Sequence, residues 1–154
     1  MSTKINRFLE IFRWMGVALG IFLAFYWGNN PQTQFNIFAI FTVVFIAGFT
    51  ALEGFFFQKS ASEVSGYTGG HAYQRQSSLQ FLALAATMIL ALILRWGFYA
   101  YLGLIIFMLI FLTLSSINHL YTGFKEKFVL NSILRPILTL FLWVVSLFFI
   151  IPAL

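Results

Sequence analysis

The chain has 154 residues, of which 61% are hydrophobic and only 8% charged, with no Asp and no Cys. A soluble domain carries roughly 25% charged residues and could not cover so apolar a surface, so a soluble globular fold is excluded. The net charge of +5 is confined to the edges of apolar runs. There it suits membrane lipids with anionic headgroups, and a nucleic-acid partner is set aside. Without Cys there are no disulfides, thiolate metal sites or haem-attachment motifs.

Five long apolar runs are separated by short breaks. The first is expected to cross a membrane at about 14–28, with 8–13 as a lead-in after the basic start Lys4, Arg7 and Arg13. A cleaved signal peptide would end in a small-x-small site. Gly28, Asn29, Asn30 and Pro31 follow Trp27 instead, so this run reads as a retained anchor. Gly16, Gly20, Ala24 and Gly28 recur every four residues and line one helix face, a pattern that lets a second helix backbone approach closely.

The second span is expected at about 35–57, long enough at 1.5 Å per residue to cross a core of about 30 Å. Glu53 stands near its end. An ionised carboxylate costs at least about 2.5–3.5 kcal/mol in hydrocarbon, so Glu53 requires a partner. Arg75, Arg135 and His119 are the candidates at its depth. The connection 59–75 is the longest, and its Tyr67, His71 and Tyr73 close to Gly66, Gly69 and Gly70 suggest a segment folded back onto the bundle.

The third span, about 77–95, puts Gln76, Gln80, Ala83 and Thr87 on one face, a polar stripe expected to turn away from lipid. A tight turn at Trp96-Gly97 leads to the fourth span, about 98–119, whose end carries Ser115, Ser116, Asn118 and His119. Ser115 and His119 share a face, with Ser116 beside it. The fifth span, about 133–152, is expected to hold Pro136 in its first turn, where the missing N–H costs nothing.

Eight of the nine basic residues (Lys4, Arg7, Arg13, Lys59, Arg75, Lys125, Lys127 and Arg135) fall on one side of this alternating path, and Arg95 alone on the other. Lys and Arg are retained on the cytoplasmic side during insertion. The expectation is an all-α polytopic membrane helix bundle. It is a single domain over 1–154, with its N-terminus cytoplasmic and its C-terminus outside.

The stretch 55–84, with its Phe-Phe, Gly-Tyr-x-x-Gly, Tyr-Gln and Leu-Ala-Leu elements, resembles an uncharacterised family of small five-span prokaryotic membrane proteins. So do Gly97-Phe98, the triplet His119 to Tyr121 and the Ile-Leu-x-Pro pattern ending at Pro136. The resemblance implies a multi-pass protein of the prokaryotic inner membrane and no named activity. The family pattern has an acidic residue where this chain has Gln76, a His near Gly54 and an Asp near Ser132. Chemistry resting on those groups would be missing here.

No nucleophile elbow, phosphate loop, paired carboxylate motif or zinc signature is present. His71 and His119, with Glu53 or Glu63, lack the helical His-x-x-x-His or Glu-x-x-His spacing of a ligand set, so no metal and no cofactor is expected. What is left is a polar cluster at the cytoplasmic end of the bundle: Glu53, His71, Gln76, Gln80, Ser115, His119 and Arg135. Its residues fit a structural network in an accessory or structural subunit, as a homo-oligomer or within a larger membrane complex. They also fit a polar-rimmed pocket for a lipid-like or quinone-like molecule, lidded by 66–73. A membrane enzyme using Glu53 and His119 is the third reading, since ionisable groups inside a membrane are costly.

Overall fold

A computed structural model describes residues 2–56, 71–125 and 130–154 of the chain. The described residues form five α-helices and no strand: α1 (Ser2–Trp27), α2 (Pro31–Phe56), α3 (His71–Ile93), α4 (Phe98–Lys125) and α5 (Leu130–Ala153). Each holds a stretch long and apolar enough to cross a membrane. The protein is a multi-pass membrane helix bundle. The folded-back loop expected over 59–75 falls mostly outside the described residues, and α3 takes over at His71.

Local signals fix the helix ends. Gly28 N–H closes the last turn of α1 on Ala24 O at 2.9 Å. Asn30 then caps α2, its Oδ1 accepting from Thr33 N–H at 2.8 Å, with Pro31 in the first helical position where its missing N–H is not needed. α3 ends with Trp96 N–H on Ala91 O at 2.9 Å, a bond that requires a left-handed residue just past the helix. Arg95 takes that place at φ 54°, where glycine is usual, and its cation lies at the negative end of the helix dipole. The expected turn at Trp96-Gly97 therefore begins one residue earlier, and Gly97 follows at φ 87°.

Helices consecutive in the chain alternate in direction. Gly16 and Gly20 of α1 lie against Phe45 and Phe41 of α2, and Phe38 stacks on Phe149 of α5 at 4.6 Å. Phe81 meets Phe111 edge-on at 5.0 Å between α3 and α4, while Phe35 and Phe98 bring the starts of α2 and α4 together at 5.1 Å. α2 is the hub and packs against all four other helices. Its buried residues Phe35, Phe38, Ala39, Thr42, Val43, Ile46 and Ala47 recur at alternating steps of three and one, with Ala51 a step of four further on, covering a wide arc. The consequence is that α3 packs mainly on α2 and touches α4 only sparsely, although a short turn joins α3 to α4.

One expectation needs correction. Pro136 is the seventh residue of α5, beyond the first turn. Its ring removes the N–H that would bond the Ser132 carbonyl, a break in the backbone ladder beside Arg135.

Candidate functional site

One end of the bundle gathers the start of α1, the end of α2, the start of α3, the end of α4 and the start of α5. Glu53, on the last turn of α2, receives a charged hydrogen bond from Arg13 Nη2. The two side chains are 16% and 13% exposed, so the pair is largely withdrawn from its surroundings. Glu53 thus has its required partner, but that partner is Arg13 and not Arg75, Arg135 or His119. The antiparallel packing of α1 on α2 brings residue 13 to the depth of residue 53. Arg13 Nε has no acceptor among the described residues.

His119, 5% exposed, sits on the face that α4 turns to α5. Arg135 Nη1 bonds its Nε2. A guanidinium only donates, so Nε2 accepts and the ring carries its proton on Nδ1. One turn further along, Ser116 Oγ and Thr139 Oγ1 are 2.9 Å apart. Thr139 already donates to Arg135 O at 2.9 Å, which leaves Ser116 as the donor between the two hydroxyls. A further turn on, Trp143 Nε1 donates to Thr113 Oγ1 at 2.9 Å, and Thr113 donates to Leu109 O at 2.8 Å. Residues 135, 139 and 143 advance by four while 119, 116 and 113 retreat by three. Two antiparallel helices therefore carry three hydrogen-bonded rungs along one seam.

Ser116, not Ser115, is the buried hydroxyl of this seam; Ser115 is half-buried. Arg13, Thr113, Thr139 and Trp143 were missed as candidates. The matched spacings of 113-116-119 and 135-139-143 were the available signal for the last three. His71 opens α3, and its side chain lies outside the described residues.

Gln76 and Gln80 behave differently. Both are exposed, as is Ala83, while Thr87 is half-buried. α3 buries Ser78, Phe81, Leu84, Ala85, Met88 and Ala91 instead, a face centred well over 90° from the polar stripe at about 100° per residue. The stripe thus points out of the bundle, contrary to the expectation that it would turn inward. Neither amide has a hydrogen-bond partner among the described residues.

The cluster is consequently divided. Glu53 is engaged with α1, His119 and Arg135 with each other, and the two glutamines look outward. No group of three His, Cys, Asp or Glu that could hold a metal occurs among the described residues. Two further hydroxyls, Thr42 Oγ1 and Ser146 Oγ, are fully buried without a partner among the described residues. They sit one turn from the stacked pair Phe38 and Phe149 on α2 and α5. Comparison with protein-family models, curated proteins and solved structures yields no match, so the site is read from its own geometry.

Proposed function

We propose that the protein is a structural or accessory subunit of a membrane assembly that presents the outer face of α3 to other membrane helices. One observation carries this reading: two carboxamides, Gln76 and Gln80, stand exposed at the start of a membrane-crossing helix. Lipid tails offer no hydrogen bonds, so an outward polar face at that depth calls for a protein surface or interfacial water. The internal polar groups support the same reading, because they tie helix to helix and leave the chain a framework. The family resemblance implies a prokaryotic cell membrane, and the charge pattern favours an N-terminus in the cytoplasm and a C-terminus outside.

A photo-crosslinking residue at position 80 should form adducts with protein. The same residue at Phe107, an exposed apolar position of α4, should form adducts with lipid only. Lipid-only adducts at both positions would overturn the reading. For the orientation, Asn30→Cys should react with an impermeant thiol reagent from outside intact cells, and Phe124→Cys only after the membrane is opened. Labelling of both from one side would reverse or break the topology.

A further inference from the structure

The stripe on α3 does not stop at Thr87. Gln76, Gln80, Ala83, Thr87, Leu90 and Leu94 succeed each other at steps of four, three, four, three and four. All but half-buried Thr87 are exposed. That is the seam spacing of two helices crossing at a shallow left-handed angle, and it runs from the second turn of α3 to the residue just past its end, on a helix whose opposite side is already buried against α2. Its polar half lies at the basic end of the bundle and its leucine half at the other. Ala83, between them, is small enough for a close approach.

We propose that this seam is self-complementary: two copies of the chain associate through α3, with Gln76, Gln80, Ala83 and Thr87 each meeting its counterpart across a two-fold axis along the membrane normal. The inference rests on the subunit reading above and names the partner. Two copies inserted in the same direction can be related only by an axis of that kind, which sets every residue opposite itself at one depth. A carboxamide is the neutral side chain best suited to that arrangement, since it offers N–H donors and a carbonyl acceptor and can pair reciprocally with its own image. Charged residues at the same places would repel across the axis, and none of the six seam positions is charged. Thr87 already donates to Ala83 O at 2.8 Å, so its hydroxyl adds no unsatisfied donor to the contact. An unrelated helix would need donors and acceptors at both glutamine depths, whereas a second copy supplies them by symmetry.

The native chain has no cysteine, so a single introduced thiol reports one position without background. Cysteines placed at 76, 79, 80, 82, 83, 86 and 87 are oxidised in native membranes. The seam predicts a product of twice the 17.6 kDa chain mass from 76, 80, 83 and 87, and none from 79, 82 or 86, whose residues are also exposed. Gln76→Leu with Gln80→Leu should weaken dimerisation about threefold to thirtyfold per lost pair, read by energy transfer on dilution into lipid vesicles. Its helix content and melting should stay those of the parent. Equal crosslinking from all seven positions would overturn the proposal, as would a double variant that dimerises undiminished. Absence of the double-mass product overturns it too, and the photo-crosslinker at position 80 then separates the two readings. Adducts with other proteins there would leave the subunit reading standing, and lipid-only adducts would remove both.

Discussion

The pair α1–α2 and the pair α4–α5 solve one problem by opposite means. Two helices in lipid gain little from the hydrophobic effect, because lipid tails are as apolar as their side chains. α1 answers with absence: at Gly16 and Gly20 it has no side chain, and Phe45 and Phe41 fill the space. A Cβ built on Gly16 would lie 2.0 Å from Phe45 Cγ and 2.3 Å from its Cβ, and one on Gly20 2.8 Å from Phe41 Cβ. Phe41, Phe45, Phe49 and Phe12 continue this as a run of ring contacts at 5.7–6.0 Å. α4 and α5 answer with polar groups, in the three rungs from Arg135–His119 to Trp143–Thr113. Close packing takes many small contacts and tolerates no added atom, while a rung is one directional bond whose loss leaves the others in place.

The largest effect is expected where the close-packed pair also carries charge. Glu53→Leu should destabilise the protein by about 3 kcal/mol, since it strands the Arg13 guanidinium beside α2. Arg13→Leu with Glu53→Leu should recover most of that loss, because an apolar pair of similar size replaces both ions. Equilibrium unfolding in mixed micelles measures both. A double variant as weak as the sum of the two single changes would show that the ions do not act as a pair.

Next comes the glycine seam. Gly16→Ala should cost about 1–3 kcal/mol by overpacking, since the obstructing atoms include the Cβ of Phe45 rather than the tip of a flexible chain. In a Phe45→Ala background the same change should cost much less. Gly48 and Gly103 have open space where a Cβ would stand. Gly48→Ala and Gly103→Ala should therefore be neutral or stabilise by up to about 1 kcal/mol through helix propensity. Equal losses at Gly16 and Gly48 would mean that the stripe is ordinary membrane-helix composition and not a packing seam.

The two regions also differ in how far the sequence disclosed them. The four-residue spacing of Gly16, Gly20, Ala24 and Gly28 marks a close-approach face, and the structure puts α2 on it. The spans themselves follow from apolar length alone. Pairing does not, because many helix orders satisfy the same five spans. A short turn between α3 and α4 suggested that Gln76 and Gln80 would look towards Ser115 and His119. Instead α2 occupies the inner face of α3, and α5 that of α4. Glu53 shows the same limit: burial cost demands a partner without saying which helix supplies it, and the antiparallel packing of α1 on α2 makes that partner Arg13. The hydroxyl rungs were hidden because Thr and Ser in membrane helices commonly bond their own backbone, as Thr50 does to Ile46 O at 2.6 Å.

The smallest effects separate a satisfied hydroxyl from an unsatisfied one. Ser116→Ala should cost about 0.6 kcal/mol and at most about 1.7, the range for side-chain hydrogen bonds between membrane helices. Thr139→Val should cost about the same, because Ser116 then loses its acceptor. Combining the two should add little beyond either single change, since each already breaks the one bond. Thr113→Val and Trp143→Phe form an independent second cycle, one turn away. Thr42→Val and Ser146→Ala provide the contrast. Their oxygens are as deeply buried but bond to nothing among the described residues, so an apolar group of similar shape removes a desolvation cost and no bond. Both should leave stability unchanged or raise it slightly. The two cycles and the two controls together ask whether burial of a hydroxyl or its hydrogen bond holds α4 to α5. A loss at Thr42 equal to that at Ser116 would point to burial and packing, and the rungs would then be a consequence of the helix contact rather than its cause.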